Sequence, residues 1–232
     1  MARFPLEASE IERFTPPSLA NIPTPPVFLL RAGSRRDRRT YQRLLIEEGL
    51  THHSQDKFRA ETIRGLQALW SPEIYEQHVP RLKHFWEAID QHAEAQKGKD
   101  TPDPFVFDPD EQSALAELNS RITKAWAPLR KLAADNILYS SEAPSVMLSI
   151  LLVGWEHAQI SYARADGRVS LDLLEELEDA LADMEQQHAG IEGVGMPGTA
   201  FMQIATKATN RLFLDESMEK NSASPPPSSP PP

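Results

Sequence analysis

Apolar residues recur every three or four positions along most of this chain, a spacing that places them on one face of a helix. Tyr41, Leu44 and Leu45 mark a first helix, opened by Ser34 with Asp37 three residues on and stopped by Gly49. Phe58, Ile63, Leu66, Leu69 and Trp70 mark a second from Ser54. Ile74, Leu82, Phe85, Trp86, Ile89 and Ala93 mark a third, opened by Ser71-Pro72. Proline suits that first helical position, where its missing N–H would find no partner anyway. Asp108-Pro109-Asp110-Glu111 is the sharpest start signal: Asp caps, Pro stands first, and Glu111 can reach back to the cap N–H. Leu115, Leu118, Ile122, Trp126, Leu129 and Leu132 follow, with Pro128 expected to kink or split the helix after Trp126.

Pro144 is read as opening the most apolar helix, 146–164. Ser170 caps the next, with Leu174, Leu177, Leu181 and Met184 on one face. Glu175, Glu176, Glu178, Asp179, Asp183 and Glu185 lie on the other, read as facing solvent. Thr199 is read as capping a last helix, 199–216, with Phe201, Ile204, Ala208 and Leu212 inward. Only residues 27–31 (VFLLR), between Pro26 and Gly33, read as a strand.

The pattern predicts a mostly α, multi-helix bundle with a short N-terminal strand. Its expected parts are a proline-rich extended arm (1–26), a helical subdomain (27–96), an exposed linker (97–108), a second helical subdomain (109–221) and a disordered Ser/Pro tail (222–232). One bundle with a long surface loop at 97–108 fits the pattern equally well. The tail, SASPPPSSPPP, has nothing to bury.

Of 232 residues, 40% are hydrophobic, enough to build a core at this length. The net charge of -10 argues against general nucleic-acid binding, because phosphates repel an acidic surface. The chain has no cysteine, which removes disulfides, thiolate nucleophiles and Cys-based zinc sites. The first twenty-one residues hold Glu7, Glu10 and Glu12 and no apolar core, unlike a secretory signal. The longest apolar stretch, 146–155, falls well short of the roughly 20 residues a membrane span needs. A cytoplasmic protein is expected.

Candidate chemistry is sparse. Arg31, Arg35, Arg36, Arg38, Arg39 and Arg43 form a basic cluster that could meet phosphates or an acidic partner, or serve as a solvated helix face. Aromatic residues do not alternate with these arginines as they do in many RNA-binding surfaces. His84 and His92 share a helix face near Glu87 without the HExxH spacing of a zinc site. Residues 190–198 (GIEGVGMPG) lack the Lys-Ser/Thr of a phosphate loop and read as a flexible hinge. No serine sits in a Gly-x-Ser-x-Gly elbow, and the four tryptophans fall on apolar faces. No catalytic, cofactor-binding or metal-ligating residue is assigned. The exposed parts of 170–188 and 199–216 are the expected contact region for a protein partner.

Three stretches carry a family likeness. LLVGWEHAQISYARADGRVSLDLLEELEDAL (151–181), NRLFLDESMEKNSASPPPSSPPP (210–232) and PPVFLLRAGSRRDRRTYQRLLIEEGL (25–50) resemble the tail assembly chaperones of long-tailed bacteriophages. The shared features are a Gly-Trp pair, a short connection, Gly-x-Val before an acidic Leu-rich helix, and a Lys-Asn-Ser junction leading into a Ser/Pro tail. Residues 15–26 and 97–108 take no part in it. The resemblance implies a non-catalytic protein, absent from the finished virion, that coats the tape-measure protein until tail-tube subunits polymerise around it. It also implies a second, longer form made by ribosomal frameshifting. Glu219-Lys220-Asn221 can be encoded GAA-AAA-AAC, which contains the slippery heptamer A-AAA-AAC. Two other readings fit the residues: another viral assembly factor (scaffold, connector or DNA-packaging adaptor) meeting DNA through the arginine cluster, and a metal-dependent enzyme using His84 and His92.

Overall fold

The computed structural model describes residues 11–99, 101 and 103–213. Residues 219–221, with the expected frameshift site, and the Ser/Pro tail 222–232 lie outside them. The fold is mostly helical. In chain order its elements are β1 Ile11–Phe14, β2 Val27–Arg31, α1 Arg35–Glu47, α2 Gln55–Leu69, α3 Pro72–Gln96, α4 Pro109–Ala125, α5 Ala127–Leu151, β3 Leu152–Glu156, α6 Leu171–Gln187 and α7 Thr199–Leu212. No helix among the described residues is long and apolar enough to cross a membrane.

The chain divides into two compact units, and the division does not fall at 97–108. One unit joins Met1–Leu50 with Tyr139–Pro232; the other, Thr51–Leu138, is inserted into it. Residues 97–108 are largely exposed, as read, but they join two helices of one unit rather than two subdomains. Phe105 and Phe107 stack on each other, both meet Phe85 edge-on, and Asp103 accepts a hydrogen bond from Lys99 at 2.7 Å. The segment folds back over α3 because it carries two phenylalanines that gain by leaving water.

In the split unit β2 is the middle strand of an antiparallel sheet. Ile11 pairs with Arg31 and Phe14 with Phe28 on one side; Phe28 pairs with Trp155 and Leu29 with Gly154 on the other. Phe28 and Leu30 are fully buried, as alternation along a strand requires. The segment 1–26, read as an extended arm, contributes β1 and a 3-10 turn, Pro17–Leu19, and sends Leu19 and Ile22 into the core.

The helix expected over 146–164 stops at Leu151, and β3 takes the next five residues. An apolar run buried on every side has no period to separate helix from strand. Two local facts decide it: β2 offers an open edge, and Gly154 lets the strands close, since a Cβ there would lie 3.0 Å from Leu29 Cδ1. Beyond β3, Trp155 Nε1–H donates to the Ile160 carbonyl at 2.9 Å and meets Tyr162 edge-on. Pro144 lies inside α5 rather than opening a helix, whereas the break after Trp126 is where Pro128 places it.

Most starts follow their expected caps. Ser34 and Asp37 form a reciprocal capping box; Ser54, Asp108 and Ser170 each accept the N–H three residues on. Glu111 does not reach back to Asp108. It pairs instead with Arg81, whose Nε lies 2.8 Å from Oε1.

The insert has its own core: Leu66, Val79, Leu82, Leu115, Leu118, Ile122, Leu129 and Leu132, flanked by Trp70, Trp86 and Trp126. Trp126 packs on Gly65, where a Cβ would lie 2.9 Å from the indole, and its Nε1–H donates to Glu61. Leu69 and Ile74, expected on apolar faces, are exposed. The two ends of the insert are clasped. The Asn136 side chain accepts the His53 N–H at 2.7 Å and donates to the His53 carbonyl at 3.0 Å. The His53 ring lies between Asp135 and Lys57; with the ammonium donating to Nδ1, Nε2–H faces the carboxylate at 2.9 Å. A segment with its own core and joined ends meets the requirements of an independent folding unit. A fragment of residues 51–138 is therefore expected to show helical circular dichroism and a single cooperative thermal transition. A fragment with helical signal but no cooperative melt would show that its core depends on the rest of the chain.

Candidate functional site

The surface that stands out belongs to α7, and its setting comes from groups buried beneath it. Thr199 is not the cap. Gly198 is, in the left-handed region at φ 89°, with no side chain to bond the first turn. Glu185 supplies that bond instead: it is fully buried, and its Oε1 accepts the Ala200 N–H at 2.8 Å. Glu185 thus leaves the solvent-facing acidic set read from helical phase. A carboxylate is well suited to the positive end of a helix.

The glycine-rich 190–198 loop is not a free hinge. The Gly195 N–H donates to the Ser18 carbonyl at 3.2 Å, Asn21 Nδ2–H donates to the Glu192 carbonyl at 3.0 Å, and the Ser18 N–H donates to Gln203 Oε1 at 3.1 Å. Glycine is needed at 195 because a Cβ would fall 2.8 Å from both Ser18 Cβ and Thr199 Cβ.

The far end of α7 is tied to β2 and α1. Arg38 Nε–H donates to the Leu212 carbonyl at 2.8 Å, and the Gly33 N–H donates to the Arg211 carbonyl at 3.1 Å. Arg211, itself buried, donates from Nε to the Arg31 carbonyl and pairs with Glu12. Glu12 also pairs with Lys207 at 2.6 Å. Burial pushes the Glu12 carboxyl up, but these two cations outweigh it and hold the group below its usual range.

So anchored, α7 buries Phe201, Ile204, Ala208 and Leu212 and leaves Met202, Thr206, Thr209 and Phe213 exposed at spacings of four, three and four. Met202 is 49% exposed, Phe213 47%, and Met196, in the loop before the helix, 80%. An open groove of about 750 Å³ runs along one side of this stripe, between Phe14, Pro17, Glu178 and Gln203. A second, of about 410 Å³, runs along the other, between Tyr41, Tyr139, Met147 and Phe213. Periodicity found the buried side of α7 and missed this one. Met202 and Phe213 stand out of phase with Phe201 and Leu212, and such apolar residues on a polar face are the signal.

The other sequence candidates lie elsewhere. Within the arginine cluster, Arg31 pairs with Asp37, Arg38 caps α7, and Arg43 pairs with Glu47, while Arg35, Arg36 and Arg39 are exposed. His84 packs against Phe107 and His92 against Phe105. Among the described residues no three histidine or carboxylate side chains converge as metal ligands would. The insert has a cleft of about 490 Å³ between Phe58, Leu82, Trp86 and Leu115, where Arg59 lies over the Trp86 ring and pairs with Asp90.

No protein-family model, curated protein or solved structure matches this chain.

Proposed function

We propose that this chain is a tail assembly chaperone of a long-tailed bacteriophage, acting by binding rather than catalysis. In this reading it works in the host cytoplasm and is absent from the mature virion. It holds helical segments of the tape-measure protein on the exposed face of α7 and helps recruit tail-tube subunits. The observation that carries the reading is that face: Met202 and Phe213 exposed at the two ends of a stripe completed by Thr206 and Thr209, flanked by two grooves, on a helix anchored at both ends. A second helix can lay its own ridge into such a groove. Also in its favour, two of the resembling stretches, 25–50 and 151–181, pair through β2 and β3 within one unit. A DNA-packaging adaptor draws less support, because Arg31, Arg38 and Arg43 already serve contacts within the chain.

Deleting 170–216 would not test the reading, since α6 and α7 supply Leu174, Leu177, Leu181, Phe201 and Ile204 to the core. The test is the neutral double substitution Met202→Gln with Phe213→Gln, in N-terminally tagged chain expressed from its native gene context. Wild type should co-purify with a large helical tape-measure protein, and the variant should retain less than about a tenth of it, as expected when apolar anchors become polar. The circular dichroism melt should fall by only a few degrees, for the lost edge-on contact of Phe213 with Tyr41. Equal recovery by both, or no tape-measure protein with either, would defeat the proposal. Intact-mass analysis of the same sample should show a longer product diverging after Lys220 or Asn221.

A further inference from the structure

Granting that α7 is the docking face, we propose that the helix it receives is cationic: an amphipathic helix of a separate protein with lysine or arginine along one flank of its apolar stripe. The argument starts from the wall of the larger groove. Glu178 of α6 lines it beside Met196 and Met202; Glu175 and Asp179 flank Glu178 on the same helix, and Glu142 of α5 is near enough to act on its charge. None of these four carboxylates is in an ion pair among the described residues. Burial pushes the Glu178 carboxyl up, and the three neighbouring acids push it further the same way. The lysine on the groove, Lys207, cannot relieve this wall, because it is held by Glu12 and lies 5.8 Å from the Phe14 ring centroid.

Like charges gathered at the edge of an apolar groove are unfavourable alone and favourable once an opposite charge arrives. The same wall repels anionic lipid headgroups and nucleic-acid phosphates, so a cationic protein segment fits best. The apolar part of the site does not select by shape. Exposed methionines are flexible and polarisable and adapt to many side chains. Selection therefore falls to charge. The exposed stripe of α7, from Met202 to Phe213, is three turns long, roughly 16 Å at the rise of an α-helix, and calls for a partner helix of similar length.

Two synthetic peptides of about 18 residues test this, with the same leucine stripe and either lysine or glutamate at every flanking position. Their affinities for the full chain are measured by fluorescence anisotropy at low salt. The lysine peptide should bind at least about tenfold more tightly than the glutamate peptide, and salt should shrink the gap. In the variant E175Q/E178Q/D179N the preference should fall to about twofold. In the Met202→Gln, Phe213→Gln variant the lysine peptide should weaken at least tenfold. Equal affinities, preference for glutamate, no binding of either peptide, or tighter binding to anionic phospholipid vesicles would each overturn the inference. The outcomes separate it from the chaperone reading. Indifference to peptide charge, with tape-measure capture still dependent on Met202 and Phe213, removes the inference alone. A charge-selective face, with no tape-measure protein captured, removes the chaperone reading alone.

Discussion

Gly33→Ala should destabilise the split unit by about 3 kcal/mol, the upper part of the range for overpacking a closed site. Gly33 stands between β2 and the cap of α1. A Cβ there would lie 2.7 Å from Leu212 Cδ1, 2.8 Å from Leu212 Cα and 3.1 Å from the Arg211 oxygen. The leucine methyl could swing aside, but the other two atoms are backbone at the end of α7. Relief requires moving that helix end, which would stretch the Gly33-to-Arg211 hydrogen bond and the Arg38 contact to Leu212. The requirement is for space, because Gly33 is not among the residues with positive φ. Gly49 is the control: it has φ 71° and no atom within 4 Å of the added Cβ, so Gly49→Ala should cost only about 1 kcal/mol of backbone strain. Hydrogen exchange would read both. Gly33→Ala should speed exchange in α7 and β2 and leave the insert's core amides protected. Unchanged exchange in α7 would mean that its end does not rest on the strand exit.

That contact shows where sequence reasoning stops. Gly33 reads locally as the end of a strand, and nothing near it in sequence names Leu212, some 180 positions on. Helix starts were legible because a cap and its N–H lie three residues apart; Ser34, Ser54, Asp108 and Ser170 all behave as read. One-sided helix faces were legible for a similar reason, as in Leu174, Leu177, Leu181 and Met184. What failed depended on distant partners. Strand β3 exists because β2 has an edge to fill, and Glu185 is buried because α7 needs an acceptor at its first turn. The insert boundary at 51 and 138 is drawn by the His53 clasp to Asp135 and Asn136, more than eighty residues apart. The exposed side of α7 was half legible. The helix was read from its buried face, but Met202 was not, because an exposed apolar residue breaks the pattern used to find helices.

Asp37→Ala should cost about 3 kcal/mol at neutral pH, close to the effect at Gly33, and it reaches the same junction through charge. The Asp37 carboxylate accepts two hydrogen bonds from Arg31, at 2.7 and 2.6 Å, and two from Ser34, at 2.9 Å from the N–H and 2.6 Å from the hydroxyl. Its removal takes away half of a capping box, worth about 1 kcal/mol. It also strips a charge partner from Arg31, whose side chain is only 25% exposed. Losing one member of a fully buried pair costs about 3–5 kcal/mol. Here Arg31 keeps the Ile150 and Ala32 carbonyls as acceptors, which moderates that loss to about 2 kcal/mol by the same rule. The pH dependence gives the sharper test. Burial pushes the Asp37 carboxyl up, but Arg31 and Ser34 outweigh it and hold the group well below the usual carboxylate range. The folded state therefore favours the ionised form. Its contribution is complete above the unfolded aspartate value of about 3.9 and is lost as pH falls below it. Wild type and Asp37→Asn should differ by a constant amount from pH 7 to about 5 and converge as pH drops from about 4 toward 2. Glu12 and the other paired carboxylates titrate in both proteins, so they cancel in the difference. A gap that persists unchanged to pH 2 would mean that the aspartate acts through shape and not through its charge on Arg31.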